Sequence, residues 1–90
     1  YVRATQLAGA RPVLVPFLAD GSGRLDLAAV APADLALARV LIVNYPGNPT
    51  TATITLADCA TLVEFARRHD LLLLSDLAYS ELSFDGFRVP

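Results

Sequence analysis

Two short apolar runs in the second half of the chain constrain its fold more than any other feature. Val40–Val43 is a continuous run rich in β-branched residues, and Leu71–Ser75 is a second, largely apolar run. Runs of this length and composition are typical of strands buried on both faces of a parallel sheet. Because parallel strands need a long crossover, a helix between the two runs would complete a βαβ unit with a right-handed connection.

The stretch between the runs carries the signals of that crossover helix. Thr55-Leu56-Ala57-Asp58 fits a capping box, and Arg67, Arg68 and His69 would favour the negative end of the helix dipole. We expect the helix to continue to about His69. Apolar residues that recur at helical spacing define its predicted buried face: Leu56, Cys59, Ala60, Val63 and Ala66. On that face, Cys59 is interpreted as a small core residue.

The first half of the chain has weaker signals. Tyr1–Ala10 has helical composition, and Val13–Phe17 is predicted to be a short strand. Asp20–Gly23 predicts a turn. Leu25–Leu37 is weakly helical and is interrupted at Pro32, which fits the first turn of a second short helix.

The composition excludes several classes of function. Apolar residues make up 54% of the chain and charged residues 18%, which favours a packed α/β piece over disorder. The net charge of −2 provides no basic surface for nucleic acid, and apolar runs such as Leu71–Leu74 are far too short to span a bilayer. With one cysteine and no metal-ligand pattern, we expect a cytoplasmic protein without a metal site, a nucleic-acid partner or a membrane partner.

Polar side chains follow both predicted strands. Asn48 lies in the loop after Val40–Val43, and Asp76 directly follows Leu71–Ser75. Ligands of open parallel sheets bind beyond the carboxyl ends of the strands, and neighbouring strands lie about 4.8 Å apart. Asn48 and Asp76 are therefore predicted to share one rim of the sheet, within reach of a single small molecule. Tyr79, three residues after Asp76, can reach the same place.

These segments resemble a known family. Asn44-Tyr45-Pro46-Gly47-Asn48-Pro49-Thr50 and Asp76-Leu77-Ala78-Tyr79 are similar to the N-P-T and D-x-A-Y motifs of class I/II, fold-type I aminotransferases, which use pyridoxal phosphate. The separation of 28 residues (76 − 48 = 28), spanned by one helix, also fits the family. Ser80–Gly86 and Leu7–Ala10 resemble its bacterial aspartate- and diaminopimelate-aminotransferase-like branch. The resemblance covers essentially the whole chain but only about a quarter of such an enzyme.

The resemblance implies a fold and a set of ring contacts. Residues 1–90 would be part of the cofactor-binding large domain, an incomplete α/β piece with a parallel βαβ unit plus a flanking helix and strand. Asp76 would lie against the pyridine nitrogen of pyridoxal phosphate, and Asn48 and Tyr79 would donate to its phenolic oxygen. Ala78 would pack under the ring.

Neighbouring positions are interpreted through the same resemblance. Tyr1 aligns near a position that supports the ring-binding aspartate in relatives, and plain packing at a helix start is the alternative. Thr51 stands where many relatives have glycine, which bears on the geometry of the turn. Relatives commonly carry a cis bond in the Asn-Pro motif, so Asn48–Pro49 is expected to be cis.

The resemblance also implies groups that this chain does not contain. All seven basic residues are arginine, so the Schiff-base lysine of the family is absent, and its phosphate-binding segments lie outside the 90 residues. The chain alone is therefore expected to hold no catalytic residue, to bind the cofactor weakly or not at all, and to be inactive. The full enzyme would be a homodimer that acts on an amino acid and a 2-oxo acid.

Several functions remain open at this stage. The leading hypothesis is transamination by an enzyme of which this chain is a piece. A carbon–sulfur β-lyase or an aminotransferase-like regulatory domain would share the ring-binding residues. A non-catalytic truncated remnant, or an α/β binding domain without pyridoxal phosphate, would need none of this chemistry.

Overall fold

The predicted strand–helix–strand order is present in the computed structural model, which describes residues 1–90. The elements in chain order are α1 (Val2–Leu7), a 3-10 helix (Leu27–Ala29), α2 (Pro32–Leu37), β1 (Val40–Asn44), α3 (Leu56–Arg68) and β2 (Leu72–Asp76). None of the helices is long and apolar enough to cross a membrane.

The two strands form a parallel pair, as predicted. Val40 pairs with Leu72 at one end, and Asn44 pairs with Asp76 at the other. The register therefore aligns the carboxyl ends of β1 and β2. The loops that follow both strands therefore leave the sheet at the same end, which we call the rim.

The crossover helix α3 begins at the predicted capping box. The Thr55 side chain accepts a hydrogen bond from the Asp58 backbone N–H, and an Asp58 carboxylate oxygen accepts from the Thr55 N–H at 2.9 Å. At the other end, His69 is the C-cap, close to the predicted limit, and its ring lies 4.5 Å from that of Phe65. Interactions between residues close in the sequence thus occur at both ends of the helix.

The apolar core lies between α3 and β1, and the predicted inner face of α3 is partly wrong. Buried residues that form one cluster are Leu41, Val43, Tyr45, Ile54 and Leu62. Ala66 is buried as expected and Cys59 packs against the cluster, but Leu56 is 75% exposed and Val63 is 37% exposed. Helix α3 carries apolar residues on two sides, and the side with Leu62 is the one that meets the core.

The prediction that the strands are buried on both faces is wrong for both of them. Leu41 and Val43 on one face of β1 are buried, but Val40 on the other face is 46% exposed. In β2, Leu72 and Leu74 are 66% and 44% exposed. The sheet has two strands, and α3 lies against one of its faces. No second helix packs to the same extent on the opposite face, so the apolar side chains there stay exposed.

The first half follows the helical predictions but not the predicted strand. Helix α1 lies within Tyr1–Ala10, and Pro32 occupies the first turn of α2. Val13–Phe17 is not a strand; only Phe17 pairs, in an isolated antiparallel bridge to Leu25. Proline has no N–H to donate, so Pro12 and Pro16 prevent a longer ladder.

Candidate functional site

The carboxyl ends of β1 and β2 bring the predicted polar residues together. Asn48 lies in the loop after β1, and its side-chain amide donates a hydrogen bond to the Tyr79 hydroxyl oxygen at 3.1 Å. Asp76 ends β2 directly opposite Asn44. Asn48, Tyr79 and Asp76 are therefore neighbours on one rim of the sheet, as the sequence predicted.

The Asn48–Tyr79 contact leaves two donors free. An amide NH₂ has two hydrogens, and a tyrosine hydroxyl can accept one hydrogen bond while it donates its own proton. Asn48 uses one of its hydrogens on Tyr79. Its second hydrogen and the Tyr79 proton remain available to other acceptors. The pair is thus suited to bind an anionic or phenolic oxygen.

The Asn48 loop is closed by its own backbone. The Gly47 N–H donates to the Ala52 carbonyl at 3.0 Å, and the Thr51 N–H donates to the Gly47 carbonyl at 2.7 Å. The Asn48–Pro49 bond is cis, as expected, and so is Tyr45–Pro46. The loop thus has a defined shape, with Asn48 at its exposed surface.

Thr51 has a left-handed backbone within this loop. Its φ is 54°, in the left-handed region that β-branched residues rarely adopt. The turn thus places a β-branched residue in a strained backbone conformation.

Buried Tyr45 fixes the start of the same loop. It is 5% exposed and packs within the core cluster, and its hydroxyl donates to the Gly23 carbonyl at 2.8 Å. Burial raises the pKa of Tyr45, which keeps the hydroxyl protonated as a donor. Gly23 has a φ of 73°, and a Cβ there would lie 2.5 Å from the Ala52 Cβ, so the Asp20–Gly23 turn packs closely against the loop.

Asp76 is held as a charged carboxylate. The Tyr1 hydroxyl donates to Oδ2, and the Ala78 N–H donates to Oδ1 at 3.0 Å. These two hydrogen bonds, the one from Tyr1 first, lower the pKa of Asp76. A carboxylate has about four acceptor positions, so room remains for another donor.

Tyr1 therefore does more than pack at a helix start. Its side chain reaches from the first residue of the chain to Asp76, and the hydrogen bond to the carboxylate raises the pKa of Tyr1. Tyr1 is 61% exposed, so burial does not explain its position. Of the two alternatives, the supporting contact to the aspartate is the one present in the structure.

Sequence reasoning did not single out Asn44. Its side-chain N–H donates to the Asp76 carbonyl oxygen at 3.1 Å, and its side-chain oxygen accepts from the Asn48 N–H at 3.2 Å. The available signal was a polar residue that closes an otherwise apolar strand. Ala78, by contrast, was predicted; it is exposed next to Asp76, and its backbone N–H donates to the Asp76 carboxylate.

An open cleft of about 820 Å³ lies beside this rim. Asn48 and Tyr79 form part of its wall together with Phe84 and Phe87, whereas Asp76 does not line it. The cleft therefore reaches the Asn48–Tyr79 pair but not Asp76.

Solved structures share this fold. A probable N-succinyldiaminopimelate aminotransferase from Thermus thermophilus superposes with a TM-score of 0.88 at 32% identity, covering 100% of this chain and 24% of that protein. The apo-BacF structure from Bacillus subtilis superposes with a TM-score of 0.91 at 30% identity, again over 100% of this chain and 24% of that one. The fold is therefore that of a part of an aminotransferase.

The sequence comparisons define the family. The family model described as aminotransferase class I and II matches residues 1–89. The LL-diaminopimelate aminotransferase of Desulforudis audaxviator is 42% identical over 90 residues, which cover 100% of this chain and 23% of that enzyme. The chain belongs to the class I and II aminotransferase family, and it spans about a quarter of the length of the curated relatives it matches.

Proposed function

We propose that this chain is the cofactor-ring-binding segment of an aminotransferase that moves an amino group between an amino acid and a 2-oxo acid. The observation that carries the proposal is the grouping of the Asp76 carboxylate with the Asn48 amide and the Tyr79 hydroxyl at the joined carboxyl ends of β1 and β2. Pyridoxal phosphate fits this donor set. Its ring has a basic nitrogen for a carboxylate and a phenolic oxygen for two donors.

The role proposed for Asp76 is to keep the pyridine nitrogen protonated. Its lowered pKa means that it is charged at neutral pH, and its free acceptor positions can take the ring N–H. When bound, pyridoxal phosphate supplies the electron sink for the reaction, and a protonated ring nitrogen strengthens it. Asp76 thus holds a proton in place rather than transferring one.

Asn48 and Tyr79 are proposed to bind the phenolic oxygen. Each has one hydrogen available after their mutual hydrogen bond. Two donors on one oxygen favour its anionic form and fix the rotation of the ring in its plane. Ala78 is proposed to lie under the ring, where a larger side chain would displace it.

The named relatives support transamination over the alternative reactions. The protein from Desulforudis audaxviator is called an aminotransferase, and so is the structural relative from Thermus thermophilus. Membership of the family argues against an α/β binding domain unrelated to pyridoxal phosphate. The chain has no lysine, so the covalent attachment of the cofactor is proposed to come from elsewhere in the full-length enzyme.

The substitution Asp76→Asn tests the proposal in the full-length enzyme. The amide keeps the shape of the carboxylate but cannot hold the ring nitrogen protonated, so kcat should fall by roughly a hundredfold or more. The matched control is Asp70→Asn. Asp70 is exposed and precedes the amino-terminal end of β2, at the end of the sheet opposite Asp76. Turnover in Asp76→Asn equal to that in Asp70→Asn would show that Asp76 is only a strand-terminal residue.

A further inference from the structure

We infer that Asn44 is a positioning residue that sets the separation between the two halves of the ring-binding site. The inference rests on the proposed function, because the two halves matter together only if one rigid ring contacts both. Asn44 ends β1 and is paired in register with Asp76, which ends β2. Its side chain hydrogen-bonds to the residues at both halves.

The two bonds fix the orientation of the Asn44 amide. The nitrogen side donates to the Asp76 carbonyl, and the oxygen side accepts from the Asn48 N–H. A flipped amide would place a donor against the Asn48 N–H and an acceptor against the Asp76 carbonyl, so both bonds would be lost. Only one orientation satisfies both partners.

Asn44 also closes a circuit of contacts. The chain continues from Asp76 to Tyr79, the Tyr79 hydroxyl accepts from the Asn48 side chain, and the Asn48 N–H returns to Asn44. Without Asn44, the Asn48 loop and the end of β2 would be joined at this rim by the exposed Asn48–Tyr79 contact. The Asn44 amide is half-buried and bonds to both sides, so it restrains this spacing in addition to the Asn48–Tyr79 contact.

The chemistry of the ring makes this distance important. The pyridine nitrogen and the phenolic oxygen are fixed positions on one rigid planar ring, so their protein partners must also keep a fixed separation. A shift of the Asn48 loop by about 1 Å would lengthen the contact with the phenolic oxygen while the contact between Asp76 and the ring nitrogen was kept. Asn44 acts on the cofactor through Asp76 and Asn48 and does not need to touch it.

The test compares Asn44→Ala with Asn44→Asp in the full-length protein. Asn44→Ala removes both hydrogen bonds, whereas Asn44→Asp keeps an acceptor for the Asn48 N–H and loses the donor to Asp76. The matched control is Ala66→Gly, which weakens α3 at a buried position near its C-terminus, away from the site. Pyridoxal phosphate is the probe, and the pH midpoint of its visible absorption band when bound is the main readout.

Asn44→Ala should weaken the binding of pyridoxal phosphate about tenfold and shift the midpoint of the visible band, whereas Ala66→Gly should leave both unchanged. In the cofactor-free protein, fragmentation mass spectrometry should show faster hydrogen exchange at the Asn48 amide in Asn44→Ala, with protection kept in Asn44→Asp.

A visible band in the wild type that is unchanged in Asn44→Ala, or an Asn48 amide that stays equally protected, would overturn this inference alone. If the wild-type protein binds no pyridoxal phosphate, both the proposed function and this inference are overturned.

Discussion

At the scale of single residues, the site depends on hydrogen bonds to one carboxylate. Tyr1 and the Ala78 N–H lower the pKa of Asp76 from its ordinary value near 3.8. The stability that these bonds contribute is therefore present above pH 3.8, and it is lost as the pH falls through the lower pKa of the folded state. Because the Asp76 carboxylate is in contact with solvent, we expect this pH dependence to affect the site and not the stability of the whole chain.

Removing the Tyr1 hydroxyl should raise the pKa of Asp76 toward its ordinary value. In Tyr1→Phe only the Ala78 N–H would still support the carboxylate, and the larger of the two causes would be gone. Carbon-detected NMR titration of the Asp76 carboxyl measures the change. Tyr45→Phe is the control because its lost bond goes to Gly23. An Asp76 pKa that is the same in Tyr1→Phe as in Tyr45→Phe would refute the contact.

Thr51 provides a second residue-scale prediction. Its left-handed φ costs a residue with a side chain about 1–2 kcal/mol, which glycine does not incur, although glycine has a larger entropy loss. Thr51→Gly should therefore raise the free energy of unfolding by up to about 1 kcal/mol. Denaturant titration measures this, with Thr53→Gly as a nearby control that should lower it by about 0.4–1 kcal/mol. Destabilisation by both substitutions alike would remove the strain argument.

The motif residues could be predicted from the sequence because their chemistry and order are specific. Asn48, Asp76 and Tyr79 lie where the strand ends were expected to place them, and their mutual proximity is confirmed. The role of Asn44 could not be predicted, because it depends on the register between strands. A shift of one residue would move its side chain to the other face of the sheet.

At the scale of secondary-structure elements, local signals were reliable where they were chemically specific. The capping box and the proline of α2 are both present, and the parallel pairing follows from the crossover helix. The predicted buried face of α3 was partly wrong because apolar residues occur on two sides of the helix, and the sequence does not show which side meets β1. The strand expected at Val13–Phe17 is absent because the prediction rested on apolar composition and did not account for the backbone donors that Pro12 and Pro16 lack.

The cap of α3 should contribute measurably to stability. Thr55→Ala removes the side chain that accepts from the Asp58 N–H, which should cost about 1 kcal/mol. Thr61→Ala is the matched control, since Thr61 is exposed within the helix and bonds back to the Ala57 carbonyl. Alanine there should be neutral or slightly stabilising. Equal losses in thermal denaturation for both variants would contradict a specific capping role.

At the scale of the whole molecule, the chain has a small core and large exposed apolar surfaces. Only six of its 90 residues are buried, and Leu72, Leu74 and Phe84 are all exposed. Both outer edges of the two-stranded sheet offer unpaired backbone groups. These features fit the proposal that the segment acts within a longer aminotransferase, in which further strands and helices cover it.

The most direct test of the central claim is the protonation state of the cofactor ring. The full-length enzyme would be loaded with pyridoxal phosphate labelled with ¹⁵N in the ring, and the nitrogen chemical shift would be compared between wild type and Asp76→Asn. The proposed role of Asp76 predicts a protonated ring nitrogen in the wild type and an unprotonated one in the variant at neutral pH. The same shift in both proteins would contradict it, because the ring would then not depend on the carboxylate at the end of β2.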